Sequence, residues 1–425
     1  MNIRSSQQNT ERGAAMMIAV IFFILASVLL VLGLSAPAAR EYRIGLDAIT
    51  SRQSLAAGES GVEDGYYRLK NGMHLGSSTS FFIGNVSAST TITNIGGGVE
   101  EVVGTGNSLG DQRSSTLRAV VGSSVPLHYA VMSDDGGIDM SDTSSVTGDV
   151  HADKELHGQD GVSISGTATV GNSAAGAYGV VRGDDAAHQI HVGVGSVGNV
   201  YAHTVNYTNA TGILYCTLVL SSSGPCSPYP DPVYTELPIS STDISTWETD
   251  AASGGVISGS YSVSTAGVTL GPKKINGDLI IPDSANLTLS GVLWVTGNLT
   301  ITGSGSINLS SSFGSNSSMI IVDGTITTSA GSHIVGSGTP GSYVLLLSNS
   351  TSSSAITYRG TGSAVVYARQ GTAILNGSAS ASFVAGQTVH LFDTSSVVYD
   401  SALLGTVFVT GASTPPAILS WRETN

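Results

Sequence analysis

Charge is what this chain most lacks: Asp, Glu, Lys and Arg together make up 11% of its 425 residues. Aromatic residues are scarce too, at 6%, and there are only 2 cysteines and 12 prolines. Basic residues number 16 against 30 acidic ones, a net charge of −14. No basic stripe exists to neutralise phosphates, which excludes nucleic acid as a partner. Disorder is excluded by a different shortage, since disordered chains are highly charged and poor in aliphatics. This one is 41% hydrophobic, with a mean hydropathy of +0.21. What is abundant is small and β-branched, including 54 glycines. That composition points to a mainly β fold whose surface is solvated by hydroxyls and amides rather than ions. The length is ample for one large core or two moderate ones.

Long apolar runs are also missing, with one exception. Gly13 to Leu34 are 22 consecutive positions without a charge, directly after Glu11-Arg12. At about 1.5 Å per residue, a helix of that length reaches about 33 Å, enough for a bilayer core of about 30 Å. Arg4 and Arg12 precede the run. The positive-inside tendency therefore places the N-terminus in the cytoplasm and the body outside the membrane. A cleaved secretory signal is the alternative, with Ala36-Pro37-Ala38 as a small-x-small cleavage site and Ala39 as the mature start. The run is longer than the usual apolar region of such signals. Both readings export the body.

Downstream, residues 39–72 contain no proline and place Leu55, Val62, Tyr66 and Leu69 at helical spacing. Asn71-Gly72 is the expected stop. The apolar segment thus continues as a long amphipathic helix with one docking stripe. Arg12-Gly13-Ala14-Ala15, the aliphatic run to Leu34, and Ala56-Ala57-Gly58-Glu59-Ser60-Gly61-Val62-Glu63-Asp64 together resemble the N-terminal region of type IV pilin-like proteins of the PilX-type minor pilin family. The resemblance covers about the first 70 residues. It implies a helix that anchors the subunit before assembly and packs in a filament core afterwards, with a possible prepilin cleavage between Gly13 and Ala14. Its implied partners are the lipid bilayer and other pilin-like subunits or the pilus assembly machinery. At the fifth position after that cleavage, where major pilins carry Glu, this chain has Ile18.

Residues 75–135 give short β-type runs separated by Gly, Ser and Asn turns. From 139 onward a unit of aliphatic, any residue, Gly, any residue, β-former recurs. It reads Val146-Thr147-Gly148-Asp149-Val150, Ile164-Ser165-Gly166-Thr167-Ala168, Ile275-Asn276-Gly277-Asp278-Leu279, Val295-Thr296-Gly297-Asn298-Leu299 and Val322-Asp323-Gly324-Thr325-Ile326. Neighbouring glycines are 18, 20 or 27 positions apart, a period that suits one coil of a β-solenoid better than the 8–12-residue turn spacing of a β-sandwich. The expected fold is therefore mainly β: an N-terminal transmembrane, pilin-like long helix followed by a right-handed parallel β-helix. The expected domains are a leader at 1–12, the helix at 13–72, a β-rich connection at 73–138 and the solenoid at 139–425. Five prolines between 225 and 238 interrupt the pattern. Ser240-Ser241-Thr242-Asp243 then starts a short helix with Ile244, Trp247 and Ala251 on one face and Gly254-Gly255 as its stop, expected to cap or flank the solenoid. Gly271-Pro272-Lys273-Lys274, Leu293-Trp294-Val295 and Ser420-Trp421-Arg422-Glu423 are similar to segments of uncharacterised bacterial pilin-like surface proteins. That likeness implies no activity.

Candidate sites are few. Cys216 and Cys226 flank a Ser/Gly/Pro turn, ten positions apart, and export would favour a disulfide between them over free thiols. Without a local His pair, they do not make a zinc site. Asp134, Asp135, Asp139 and Asp142 could supply hard oxygen ligands for Ca²⁺, but not at EF-hand spacing. His151 and Asp153 share a strand face if that segment is β, and His188 and His191 follow Asp184-Asp185. Solvated surface residues account for each set equally. A polysaccharide-cutting solenoid would need convergent carboxylates or a base beside a metal. Lys273, Lys274, Asp278, Asp283, Arg359 and Arg369 are the available groups, and they are scattered. The sequence therefore reads as a non-enzymatic, exported pilin-like surface protein that requires no cofactor. Second comes an adhesin that binds a surface glycan, and third a glycan-degrading enzyme.

Overall fold

In a computed structural model the chain is described for residues 7–70, 78–94, 99–120, 123–125, 127–159, 161–222, 224–411 and 417–424. Arg4 and the helix stop expected at Asn71-Gly72 lie outside them. The first element, α1 (Gln7–Lys70), is one helix of 64 residues. It passes through Pro37, whose missing N–H leaves the Gly33 carbonyl without its helical partner. Both possible processing points, Gly13-Ala14 and Ala36-Pro37-Ala38, lie inside this helix.

Four strands follow as an antiparallel meander: β1 (Thr79–Ile83), β2 (Val86–Asn94), β3 (Val99–Ser108) and β4 (Asp111–Val120). Leu109 and Gly110 join β3 to β4 with φ of 51° and 92°. Two positive φ values suit a two-residue hairpin whose twist matches that of its strands. The free edge of β4 is filled by the chain's last described strand, Ala417–Thr424, antiparallel to it. The expected domain boundaries differ accordingly. Residues 417–424 pair with the sheet beside α1 rather than with the body, so the body is inserted between β4 and that closing strand. The boundary placed at 138/139 falls within the strand Val131–Met140.

The body is a stack of parallel strands. Ile275 stands over Val295 and Val295 over Val322, while Leu279, Leu299 and Ile326 align the same way in a second ladder. A third ladder stacks Leu287 on Ile307 and Ile307 on Ile334. Each of these inward aliphatics is essentially without solvent exposure, so the core is a column of stacked Val, Ile and Leu. At the turns, Asp278 Oδ1 accepts the Asn298 N–H at 2.8 Å, and Asn298 Oδ1 accepts the Thr325 N–H at 2.8 Å. A Cβ on Gly297 would collide with the Asp278 carboxylate, and one on Gly324 with the Asn298 amide. The recurring Gly-Asp and Gly-Asn pairs therefore interlock, one residue vacating the space that the previous coil's side chain needs.

The stacking order does not follow the chain order. From Val256–Ser258 the coils climb through Leu293–Val295, Ser318–Val322 and Val344–Ser348 to Phe383–Leu391. The next strand in the stack is Val131–Met140, the first of the body, with Val384 beside Val131 and Val389 beside Ile138. Val150–Asp153, Ala168–Gly171, Val200–Tyr201, Leu214–Tyr215 and Cys226–Ser227 then complete the column. The chain must therefore return from the far end to the near end. The proline-rich segment makes that return along the side of the stack. Asp231 meets His203, the Pro232 carbonyl accepts the Asn172 N–H, Tyr234 reaches Asp134, and the Ile239 N–H donates to the Tyr367 hydroxyl. The short helix α2 (Ser241–Ser253) follows, with Ser240 and Asp243 forming a capping box. It lays Ile244, Trp247 and Ala251 against a second core that includes Met319, Ile321, Leu345, Leu347 and Phe408. The strands Ser318–Val322 and Val344–Ser348 are consequently buried on both faces.

Candidate functional site

The outstanding surface is the first half of α1. Met16, Ile18, Phe22, Phe23, Leu29 and Leu34 are all exposed, and Tyr42, Ile44 and Ile49 extend the uncovered stretch. At about 1.5–3 kcal/mol per large apolar side chain, leaving this segment in water costs some tens of kcal/mol. The helix is long and apolar enough to cross a membrane.

The second half of α1 docks on the antiparallel sheet, partly through the expected apolar stripe and partly through small residues. Val62 is fully buried with Val102, Leu117 and Ala119, and Tyr66 and Leu69 pack beside them. Leu55, expected in the same stripe, is only half-buried. Its place is taken by small residues: Ser54, Ala57, Gly58, Gly61 and Gly65 all face the sheet. Their counterparts on β3 are Gly104 and Gly106. A Cβ on Gly104 would strike the Gly58 carbonyl, and one on Gly106 the Ser54 carbonyl. Backbone therefore rests on backbone, and hydroxyls bind the two elements. Ser54 Oγ donates to the Asp111 carbonyl at 2.6 Å, and Thr90 Oγ1 donates to the Gly61 carbonyl at 2.7 Å. The signal was present in the sequence as glycines three and four positions apart.

The other candidate groups serve the stack. Asp278 holds the next coil's backbone, and Asp283 accepts both the N–H and the hydroxyl of Ser304. Lys273 Nζ donates to the Gly254 carbonyl, and Lys274 Nζ lies 3.6 Å from the Trp294 ring centre. The Arg359 N–H donates to Thr328. Lys274 and Arg369 both lie close enough to act on Glu248, while Lys273, Asp278, Asp283 and Arg359 are engaged at other places on the stack. A carboxylate pair that the sequence did not single out sits at α2. Glu248 faces Asp323 and both accept from the Asn349 amide, at 3.2 and 3.4 Å. Burial, reinforced by Asp323, holds the Glu248 carboxyl above its usual range.

The aspartates proposed for Ca²⁺ are dispersed. Asp134 accepts from Tyr234, Asp135 from the Ala174 N–H, Asp142 from Ser141 and the Asp393 N–H. Asp139 joins an ionic column instead, where His157 Nδ1 lies 2.8 Å from Asp139 and Nε2 lies 2.7 Å from Asp184. His188 pairs with Asp185 at 2.9 Å. His151 and Asp153 do share the outward face of one strand, 3.3 Å apart and buried beneath Tyr129 and the return segment. Among the described residues, no group of three His, Cys, Asp or Glu side chains is arranged to hold a metal ion. Cys216 and Cys226 are joined in a disulfide, their Cα atoms 5.2 Å apart, at the far end of the stack.

No protein-family model matches the chain, and no curated protein matches it either. Among solved structures, the competence-associated pilin ComZ from Thermus thermophilus matches over 88% of this chain and 97% of its own, at 11% sequence identity and a TM-score of 0.25. So loose a superposition says nothing about function.

Proposed function

We propose that this chain is an exported, membrane-anchored, pilin-like surface protein, whose apolar helix seats it in the bilayer and then among other pilin-like subunits or the pilus assembly machinery. The observation that carries the reading is the division of α1 into two halves. One half is apolar and uncovered on every side, and the other is clasped backbone to backbone by an antiparallel sheet. A helix of this kind presents a rigid, preformed stalk between an apolar phase and a folded module. The N-terminus lies in the cytoplasm and the body on the cell surface, by the charge asymmetry around the run. The body is a right-handed parallel β-helix, a reading supported by its three in-register parallel ladders and its aliphatic column. The Cys216–Cys226 disulfide closes its last coil in an oxidising compartment.

Fractionation tests the reading. Full-length protein is expected in the membrane fraction, and a chain lacking residues 13–34 in the soluble fraction. A mature N-terminus at Ala14 supports pilin-type processing, whereas a start at Ala39 overturns the anchor. Failure to co-isolate with pilus components would leave an anchored surface protein outside any filament.

A further inference from the structure

The far end of the stack carries a slot built by one short residue in an otherwise bulky column. His151, Thr169, Tyr201 and Tyr215 occupy successive outward positions in register. Tyr201 and Tyr215 stack at 4.6 Å with their planes 8° apart, which leaves the opposite face of Tyr201 directed toward the next position in the column. That position is Thr169, whose side chain is too small to cover a ring. The return segment forms the outer wall: the Pro232 carbonyl is fixed by the Asn172 N–H at 3.0 Å, and Tyr229 meets Tyr201 edge-on at 5.0 Å. The cavity between them measures about 340 Å³ and is also lined by Asp231 and Val233. Tyr229 is 49% exposed and Val233 76%, so the slot opens to solvent.

We propose that this slot binds a neutral sugar ring of a surface glycan, stacked on the free face of Tyr201. No Lys or Arg lines it, and the chain as a whole carries −14, so anionic ligands are disfavoured. The strands beneath it are already paired, Ala168 and Thr169 with Val200 and Tyr201, so an extended peptide finds no open edge to extend. Tyr201 and Tyr229 touch each other and therefore do not form opposite walls of a cage around a quaternary ammonium group. A pyranose fits better. Its C–H face lies flat on the ring, and its hydroxyls meet tyrosine hydroxyls and a carboxylate. Asp231 accepts from His203 at 2.7 Å and from Thr217 at 3.1 Å, which uses two of about four lone-pair positions and leaves the others for sugar hydroxyls. Two tethers also keep the carboxylate in place before any ligand arrives.

The test is saturation-transfer NMR and calorimetric titration of full-length protein in detergent micelles, with cellobiose and chitobiose as probes. Transfer to the ring C–H protons is expected, with Kd near about 1 mM, typical of a single shallow site. Thr169→Phe fills the slot from an outward position and should reduce binding at least tenfold while leaving the melting curve unchanged. Tyr201→Ala should do the same, and Tyr201→Phe, which keeps the ring face, should retain most of the affinity. No binding of either disaccharide, undiminished binding by Thr169→Phe, or preferential binding of choline or a proline-rich peptide would each overturn the proposal. Because membrane fractionation reads only the helix and these titrations only the slot, either reading can fail without the other.

Discussion

The junction between the two halves of the stack can be tested by cross-linking. Ser145 and Ser396 are register partners across it, 251 positions apart in the chain. Both point outward, because Val146 and Val397 beside them are buried. Parallel neighbours lie about 4.8 Å apart, within the Cα separation of about 4.4–6.8 Å that a disulfide spans. The double variant Ser145→Cys/Ser396→Cys should therefore oxidise to an intramolecular bond. Ser380 is the partner of Ser396 on its other side, which puts it two strands, about 9.6 Å, from Ser145. A Ser145→Cys/Ser380→Cys control should stay reduced. Closing a loop of this size removes about 5.5 kcal/mol of denatured-chain entropy in the simplest model, an upper bound on the gain in stability. The assay is non-reducing electrophoresis with mass spectrometry of the linked peptides, followed by urea melts with and without reductant. A cross-link in the control, only intermolecular cross-links, or none in the test pair would refute the stacking order.

Two further outcomes follow from the joints. Gly104→Ala should destabilise the helix–sheet module by about 1–3 kcal/mol or more, since its Cβ meets backbone that cannot yield. Gly45→Ala, with nothing within 4 Å, should be neutral or stabilising by up to about 1 kcal/mol, and paired urea melts distinguish them. The ionic column gives a pH signature. The hydrogen bond to Asp139, helped by Asp184, raises the His157 imidazole against the opposing effects of burial and Arg182, and the same bond lowers the Asp139 carboxyl. The His157 contribution is complete below the free-imidazole value of about 6.5 and is lost as pH rises through the raised native value. The Asp139 contribution is complete above about 3.9 and is lost as pH falls through the lowered one. Wild type should therefore exceed His157→Gln in stability most clearly near pH 5–6, by less than about 1 kcal/mol after solvent screening, and the gap should shrink toward pH 9. A gap that widens with pH would refute it.

Much of this organisation was legible in the sequence, for reasons that particular residues make clear. A charge-free run followed by helical spacing is a local pattern, and α1 realises it without a break. The coil period was legible because Gly277, Gly297 and Gly324 each mark the same corner, and the equivalence of Ile275 with Val295 and of Leu279 with Leu299 follows from them. Ser240, Asp243, Ile244, Trp247 and Ala251 behave as their spacing dictates. The order of the coils was not legible, because each coil offers its neighbours the same aliphatic face and nothing local states that Val384 prefers Val131. Of the docking stripe, Val62, Tyr66 and Leu69 pack as their spacing indicates and only Leu55 does not, because glycines do their packing by what they lack. The tyrosine slot was hidden for a related reason. Thr169, Tyr201 and Tyr229 are unremarkable apart, and only coil stacking brings them together.

The inserted body also sets a timetable. The near edge of the strand Val131–Met140 has no partner until residues 383–391 arrive, and the free edge of β4 has none until residues 417–424 do. Open edges recruit other chains, so the growing polypeptide carries the first liability until residues 383–391 are made and the second until residues 417–424 are. Unlike a repeat array that can grow from any point toward either end, this one closes by the meeting of two surfaces made at different times. The final strand then seals the module that holds the stalk. Completion of the helix–sheet module thus reports that the whole inserted body has been made, and a chain cut short between β4 and residue 417 would keep an open edge at its base, available to a protease.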